Sequence, residues 1–156
     1  MQFISPTKGP MDFDRMFGDI LQYLSEQPKA AYRLIIGTDS HEREGNCFVT
    51  AVIVHRMGKG ARYYYTKFKE PHVESLRQRI FYEASLSLHV ASKIMERLAR
   101  ERAHKVDVEI HLDVGTNGKT KGLIRDVVGM VMGSGFDAKI KPDSYGASKV
   151  ADKHSK

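Results

Sequence analysis

Asp39 and Asp113 each close a short apolar run rich in β-branched residues, and each opens a loop of small polar ones. The two segments are Leu34-Ile35-Ile36-Gly37-Thr38-Asp39-Ser40-His41 and Val108-Glu109-Ile110-His111-Leu112-Asp113-Val114-Gly115. A strand that ends in a carboxylate holds charge where the sheet meets solvent, and in an open α/β sheet that rim is where ligands bind. If the two strands are neighbours, their carboxylates stand ~5 Å apart. At an effective dielectric of about 20 such a pair repels by roughly 3 kcal/mol. Either one acid takes a proton or a divalent cation sits between them. Hard oxygen ligands that retain some water suit Mg²⁺ or Mn²⁺. Taken singly, each aspartate is better explained as a turn cap.

A third acid comes from the long uninterrupted segment 74–102. Leu76, Ile80, Ala84, Leu88, Ala91, Ile94 and Leu98 recur there at helical spacing, and Glu83 falls on the same stripe. A carboxylate on an apolar stripe is costly unless it is paired or bound to metal. Arg79, four residues earlier, offers an ordinary helical ion pair instead. The fourth acid is Asp143 or Asp152. Capping a helix accounts for Asp143, whereas Asp152 lies inside the predicted helix, where Asp has poor propensity, so Asp152 is preferred. Asp39, Glu83, Asp113 and Asp152 around two metal ions roughly 4 Å apart would clamp the attacking and leaving oxygens of a phosphodiester. His41 and His154 are candidate proton shuttles, and Lys119, Lys121 and Lys141 candidate contacts to substrate phosphates.

The elements that must carry these residues follow from pattern. Residues 1–10, with two prolines and a glycine, predict an irregular lead-in. Phe13, Phe17, Ile20, Leu21 and Leu24 predict an amphipathic helix over 12–26 that stops before Pro28. Strands follow at 33–38, at 47–54 as a run buried on both faces, and at 61–68 beyond the turn Gly58-Lys59-Gly60. Short turns make these three an antiparallel meander. Strand propensity explains Tyr63-Tyr64-Tyr65 better than a base-stacking platform does. After the long helix, 106–112 predicts a fourth strand reached by a right-handed crossover, hence parallel to a strand of the meander. Leu123, Val127, Val128 and Val131 predict another helix ended by Gly133-Ser134-Gly135, then a strand at 136–140 and a last helix from Pro142-Asp143-Ser144 to His154. A mixed five-stranded α/β sheet flanked by helices, with acids ending strands one and four, is the plan of ribonuclease H-like domains.

Composition narrows the partners. A chain of 156 residues suits one domain with a proper core. No apolar run approaches the ~20 residues needed to cross a bilayer, and the N-terminus lacks the basic and apolar regions of a signal peptide, so a cytoplasmic protein without membrane contact is expected. The single cysteine, Cys47, excludes an internal disulfide and a multi-thiolate zinc site, and a disulfide-linked partner is not expected. A net charge of +6 favours nucleic acid, RNA or DNA, as the partner.

The segments Ile36-Gly37-Thr38-Asp39-Ser40, His111-Leu112-Asp113-Val114-Gly115 and Ile140-Lys141-Pro142-Asp143-Ser144-Tyr145, followed by Ala147-Ser148 and Val150-Ala151-Asp152-Lys153, resemble the uncharacterised bacterial YkuK-type family. That family is classed as ribonuclease H-like. The resemblance covers nearly the whole chain and implies one such domain over 1–156, with 1–32 a lead-in and helix packed on it. The expected function is a divalent-metal-dependent nuclease. Two alternatives stand beside it. One is a non-catalytic nucleic-acid or protein-binding module on the same fold. The other is a nucleotide-binding protein using the loop Gly115-Thr116-Asn117-Gly118-Lys119-Thr120, which follows a strand and ends like a phosphate-binding loop but has Asp113 where that motif begins with glycine.

Overall fold

In the computed structural model, residues 1–41, 46–70, 72–101, 106–144 and His154 are described. Their centre is the predicted meander: β3 (Tyr32–His41), β4 (Cys47–Arg56) and β5 (Ala61–Lys69) pair antiparallel in that order. The 26-residue helix α2 (Leu76–Glu101) then carries the chain back across the sheet to β6 (Asp107–His111), which pairs parallel with β3. A single 3-10 turn at Lys121–Leu123 leads into α3 (Ile124–Gly133), and β7 (Asp137–Lys139) adds in parallel to β6. Gly135, at φ 92°, reverses the chain after α3 in the left-handed conformation that glycine adopts without strain.

Among the described residues the sheet has seven strands, not five. Residues 1–12 do not form an irregular lead-in: β1 (Gln2–Ser5) and β2 (Gly9–Asp12) make a hairpin, and β1 joins β5 antiparallel with Ile4 opposite Tyr65. Across the sheet the order is β2-β1-β5-β4-β3-β6-β7. Pro10 is tolerated because β2 is an edge strand, where a missing N–H breaks no ladder. The chain then enters α1 (Phe13–Glu26), whose first turn is capped by the Asp12 carboxylate accepting from the Arg15 amide at 2.8 Å. The predicted last helix falls largely on residues 145–153, outside the described part; 141–144 form a turn.

One large core lies on a single face of the sheet. It joins Phe17, Ile20 and Leu24 of α1, Ile80, Ala84, Ala91 and Ile94 of α2, and Val127 and Val131 of α3 to Leu34, Ile36, Val52, Val54 and Ile110. Alternate strand residues make two small clusters on the opposite face, Ile35, Ile53 and Tyr63, and Val49, Ala51, Cys47 and Tyr65. The central strands are thus apolar on both sides, and each large side chain fully buried contributes about 1.5–3 kcal/mol. No helix among the described residues is long and apolar enough to cross a membrane.

Asp19 of α1 ties the N-terminal hairpin to the meander. Buried at 8% exposure, it accepts hydrogen bonds from the Lys8 ammonium and the Tyr64 hydroxyl, with Arg62 Nη1 at 3.4 Å. Burial alone would push this carboxyl up, but those donors and charges outweigh it and hold it below the usual range. Asp19→Ala leaves the Tyr64 hydroxyl buried without this acceptor and is expected to cost about 1–3 kcal/mol in urea unfolding.

Candidate functional site

The ladder between β3 and β6 sets the site. Gly37 stands opposite His111 in the last pair of the ladder, so Asp39 and Asp113 each lie two residues beyond it, at the same end of the sheet. Both carboxylates sit at the rim and are partly open, with side chains 17% and 29% exposed. Pleat alternation turns Thr38 and Ser40 toward α2, and Thr38 Oγ1 bonds Ser87 Oγ at 2.7 Å.

Glu83 meets this rim from α2. Its stripe, Ile80, Glu83, Ala84, Ser87, Ala91 and Ile94, is buried, and Glu83 itself is only 5% exposed. Ser40 Oγ donates to Glu83 Oε2 while accepting from Arg79 Nη1 at 2.8 Å, so a serine relays the guanidinium to the acid. Arg79 also donates to Asn46. The other oxygen, Glu83 Oε1, is buried without a hydrogen-bond partner among the described residues. Burial pushes the Glu83 carboxyl up to about 8; the Asp39 and Asp113 charges add to that push, and Ser40 and Arg79 only partly oppose it. With no cation bound, this carboxyl is mostly protonated at pH 7.

Lys141 completes the group. Its amide donates to Val114 O at 2.8 Å, and its ammonium lies 2.7 Å from Asp113 Oδ1. That hydrogen bond raises Lys141 above the ordinary lysine range, and the Asp39 and Glu83 charges act in the same direction. Asp39, Glu83, Asp113 and Lys141 therefore feel one another electrostatically. Even so, among the described residues no three His, Cys, Asp or Glu side chains lie close enough to hold a metal ion together. The ammonium holds Asp113, and Ser40 holds Glu83.

The remaining candidates are spread out. His41 Nε2 is 3.9 Å from Asp39 Oδ2. His154 stacks on the Tyr65 ring at 3.8 Å between centroids and bonds the Tyr63 hydroxyl at 3.0 Å. That holds it against β5, two strand spacings, or roughly 10 Å, across the sheet from β3. Asp143 is exposed in the 141–144 turn, and Asp152 lies outside the described residues. Lys119 and Lys121 are exposed, and Lys119 shares an open groove with Val73, Ser75, Leu76 and Arg79 at the start of α2. In the 115–120 loop the Gly115 amide donates to Thr120 Oγ1 at 3.0 Å, so the loop closes on itself instead of turning that amide toward an anion.

Two features escape the pattern of acids. Ser40 was legible, since alternation from Thr38 puts it on the helix side of β3. The buried row on β6 had no such signal: Glu109 binds Arg33 Nε at 3.0 Å and His111 Nε2 at 3.1 Å, and the Arg33 contact depends on strand pairing.

The ribonuclease H-like family model matches residues 15–156. A protein of Bacillus subtilis (strain 168) named "Uncharacterized protein YkuK" is 32% identical over 99% of this chain and 96% of its own length. No solved structure matches the chain. The match of the family model to nearly the whole chain, on a mixed sheet with acids at the ends of its paired central strands, establishes that this chain belongs to the ribonuclease H-like family.

Proposed function

We propose that this protein is a divalent-metal-dependent nuclease that hydrolyses phosphodiesters of RNA or DNA, with Asp39, Glu83 and Asp113 as ligands of Mg²⁺ or Mn²⁺ and Asp152 as the fourth acid. One observation carries the reading. Glu83 is a buried carboxyl on an apolar helix stripe, one of its oxygens lacks a hydrogen-bond partner among the described residues, and the charges of two further acids, Asp39 and Asp113, act on it. As a purely structural group it is costly, and a hard cation beside Oε1 would relieve both the desolvation and the repulsion. The all-carboxylate donor set fits Mg²⁺ or Mn²⁺ and not a soft metal.

When bound, such an ion would supply the charge that polarises the phosphate and activates a water. Asp39 and Asp113 would fix its position at the rim. Ser40 and Arg79 would orient Glu83 so that Oε1 faces the ion. In the hydrolysis a water oxygen bonds to phosphorus, the phosphorus to leaving-oxygen bond breaks, and the leaving oxygen ends protonated. His41, next to Asp39, is the candidate for moving that proton. Arg79, Lys119 and Lys121 would hold flanking phosphates. Lys119→Ala is expected to weaken nucleic-acid binding without changing its sequence preference and to lower the salt slope by about 1, read from binding isotherms across salt.

The test is cleavage of labelled RNA, DNA and hybrids with Mg²⁺ or Mn²⁺. Products that vanish with a chelator support the reading, and intact substrates under every condition contradict it. A second reading, a binding module without catalysis, is favoured by the Lys141–Asp113 ion pair, which already neutralises one acid. It predicts salt-sensitive nucleic-acid binding that persists with chelator and in Asp39→Asn.

A further inference from the structure

We propose that the outer face of β5 is a stacking site for the bases of a single-stranded nucleic acid, with Tyr63 and Tyr65 as its platform and the His154 imidazole seated where a base would lie. This rests on the nucleic-acid part of the reading above and not on its metal. Strand propensity puts Tyr63-Tyr64-Tyr65 in a strand, and pairing then divides the run. Tyr64 turns into the main core, fully buried and bonded to Asp19. Pleat alternation sends Tyr63 and Tyr65 to the opposite face, where both are half-buried, outside that core.

His154 shows what this face accepts. Its ring lies 3.8 Å from the Tyr65 ring between centroids and 13° from parallel, and its Nε2 shares a hydrogen bond with the Tyr63 hydroxyl at 3.0 Å. A flat heteroaromatic ring stacked on one tyrosine and bonded at its edge by another is held as proteins hold an unpaired nucleobase. The contact is sequence-tolerant, because every base presents a face that can stack. In a duplex those faces are covered by neighbouring bases, so the site suits a single strand.

Charge and position extend the match. Lys67 is exposed on the same face, two residues along β5, and its ammonium lies 5.8 Å from the centre of the Tyr65 ring, within reach of the phosphate of a nucleotide stacked there. Lys67 pairs with Val49, and Val49 with Asp39, so this lysine stands in the same cross-strand row as the catalytic rim, two strand spacings or roughly 10 Å away. A single strand held at the rim can therefore lay its neighbouring bases on β5.

Fluorescence anisotropy on the full chain in the presence of chelator tests the proposal, with labelled oligothymidylate of about 12 nucleotides and an abasic oligomer of the same length as probes. His154→Ala is expected to tighten oligothymidylate binding by about two- to tenfold, because the imidazole no longer competes for the Tyr65 ring, and to leave the abasic oligomer unchanged. Tyr65→Phe keeps the ring and should bind as wild type does. Tyr65→Leu keeps bulk without a stacking face and should weaken oligothymidylate by about 5- to 100-fold while sparing the abasic oligomer. Thermal melts check that the variants fold, and His154→Ala decides the matter alone if Tyr65→Leu does not. Unchanged or weaker oligothymidylate binding in His154→Ala, or a Tyr65→Leu affinity that changes equally or not at all for the two probes, would overturn the proposal and leave the nucleic-acid reading intact. No binding of either probe by wild type or any variant would overturn both.

Discussion

Asp39→Asn is expected to lower metal-dependent cleavage by on the order of 10³-fold or more, about 4 kcal/mol of transition-state stabilisation, with little change in stability. The substitution preserves shape and hydrogen-bonding capacity and removes only the charge that would anchor the ion. Asp39 stands at the solvent end of β3 with its side chain 17% exposed, and substitutions at partly open sites usually change stability by about 0.5 kcal/mol. Initial rates on a labelled substrate, together with a thermal melt, separate the two effects. A rate within tenfold of wild type would remove Asp39 from the chemistry. A large drop in melting temperature would instead make it a structural residue.

Glu83→Gln is expected to do the opposite to stability. The Glu83 carboxyl has its pKa raised from the ordinary 4.5 to about 8 in the folded protein. Between those values the folded state binds more protons than the unfolded one, so the contribution of Glu83 is fully present below about pH 4.5 and is lost as pH rises through about 8. At about 1.4 kcal/mol per pH unit, the full loss is about 5 kcal/mol. Glutamine is neutral throughout. Without metal, the variant and wild type should therefore be similar near pH 5, and the variant more stable by several kcal/mol at pH 9, as read from urea midpoints. Mn²⁺ should reverse that difference, stabilising wild type at pH 9 and leaving Glu83→Gln unchanged. Because the ion requires the carboxylate, wild-type Mn²⁺ affinity should rise by about 50-fold between pH 6 and pH 8. A flat affinity across that range would mean that Glu83 is not a ligand.

The parts of this fold that were legible in the sequence are those whose period is written locally. Leu34-Ile35-Ile36 and Phe48 to Val54 could only be buried strands, and the stripe from Ile80 to Ile94 fixed the buried face of α2 and put Glu83 on it. The parallel pairing of β3 with β6 followed from the crossover between them, and that pairing puts Asp39 and Asp113 at the same end of the sheet. The N-terminal hairpin was not legible. Its strands are four residues each, and Gly9-Pro10 reads as a loop until β1 finds β5 some 60 residues away. Lys141 gave half its signal: its charge suggested a phosphate contact, but its bond to Asp113 depends on the loops after β6 and β7 meeting across Gly115. His154 is a third case, because the Tyr63 and Tyr65 rings that hold it lie on a strand more than 80 residues earlier.

The most direct measurement is anomalous diffraction from a crystal soaked in Mn²⁺ above pH 8. The account predicts a manganese peak about 2.1 Å from Glu83 Oε1 and from carboxylate oxygens of Asp39 and Asp113. A soaked crystal with no peak at this rim, and with Glu83 Oε1 still buried and without a partner, would contradict it.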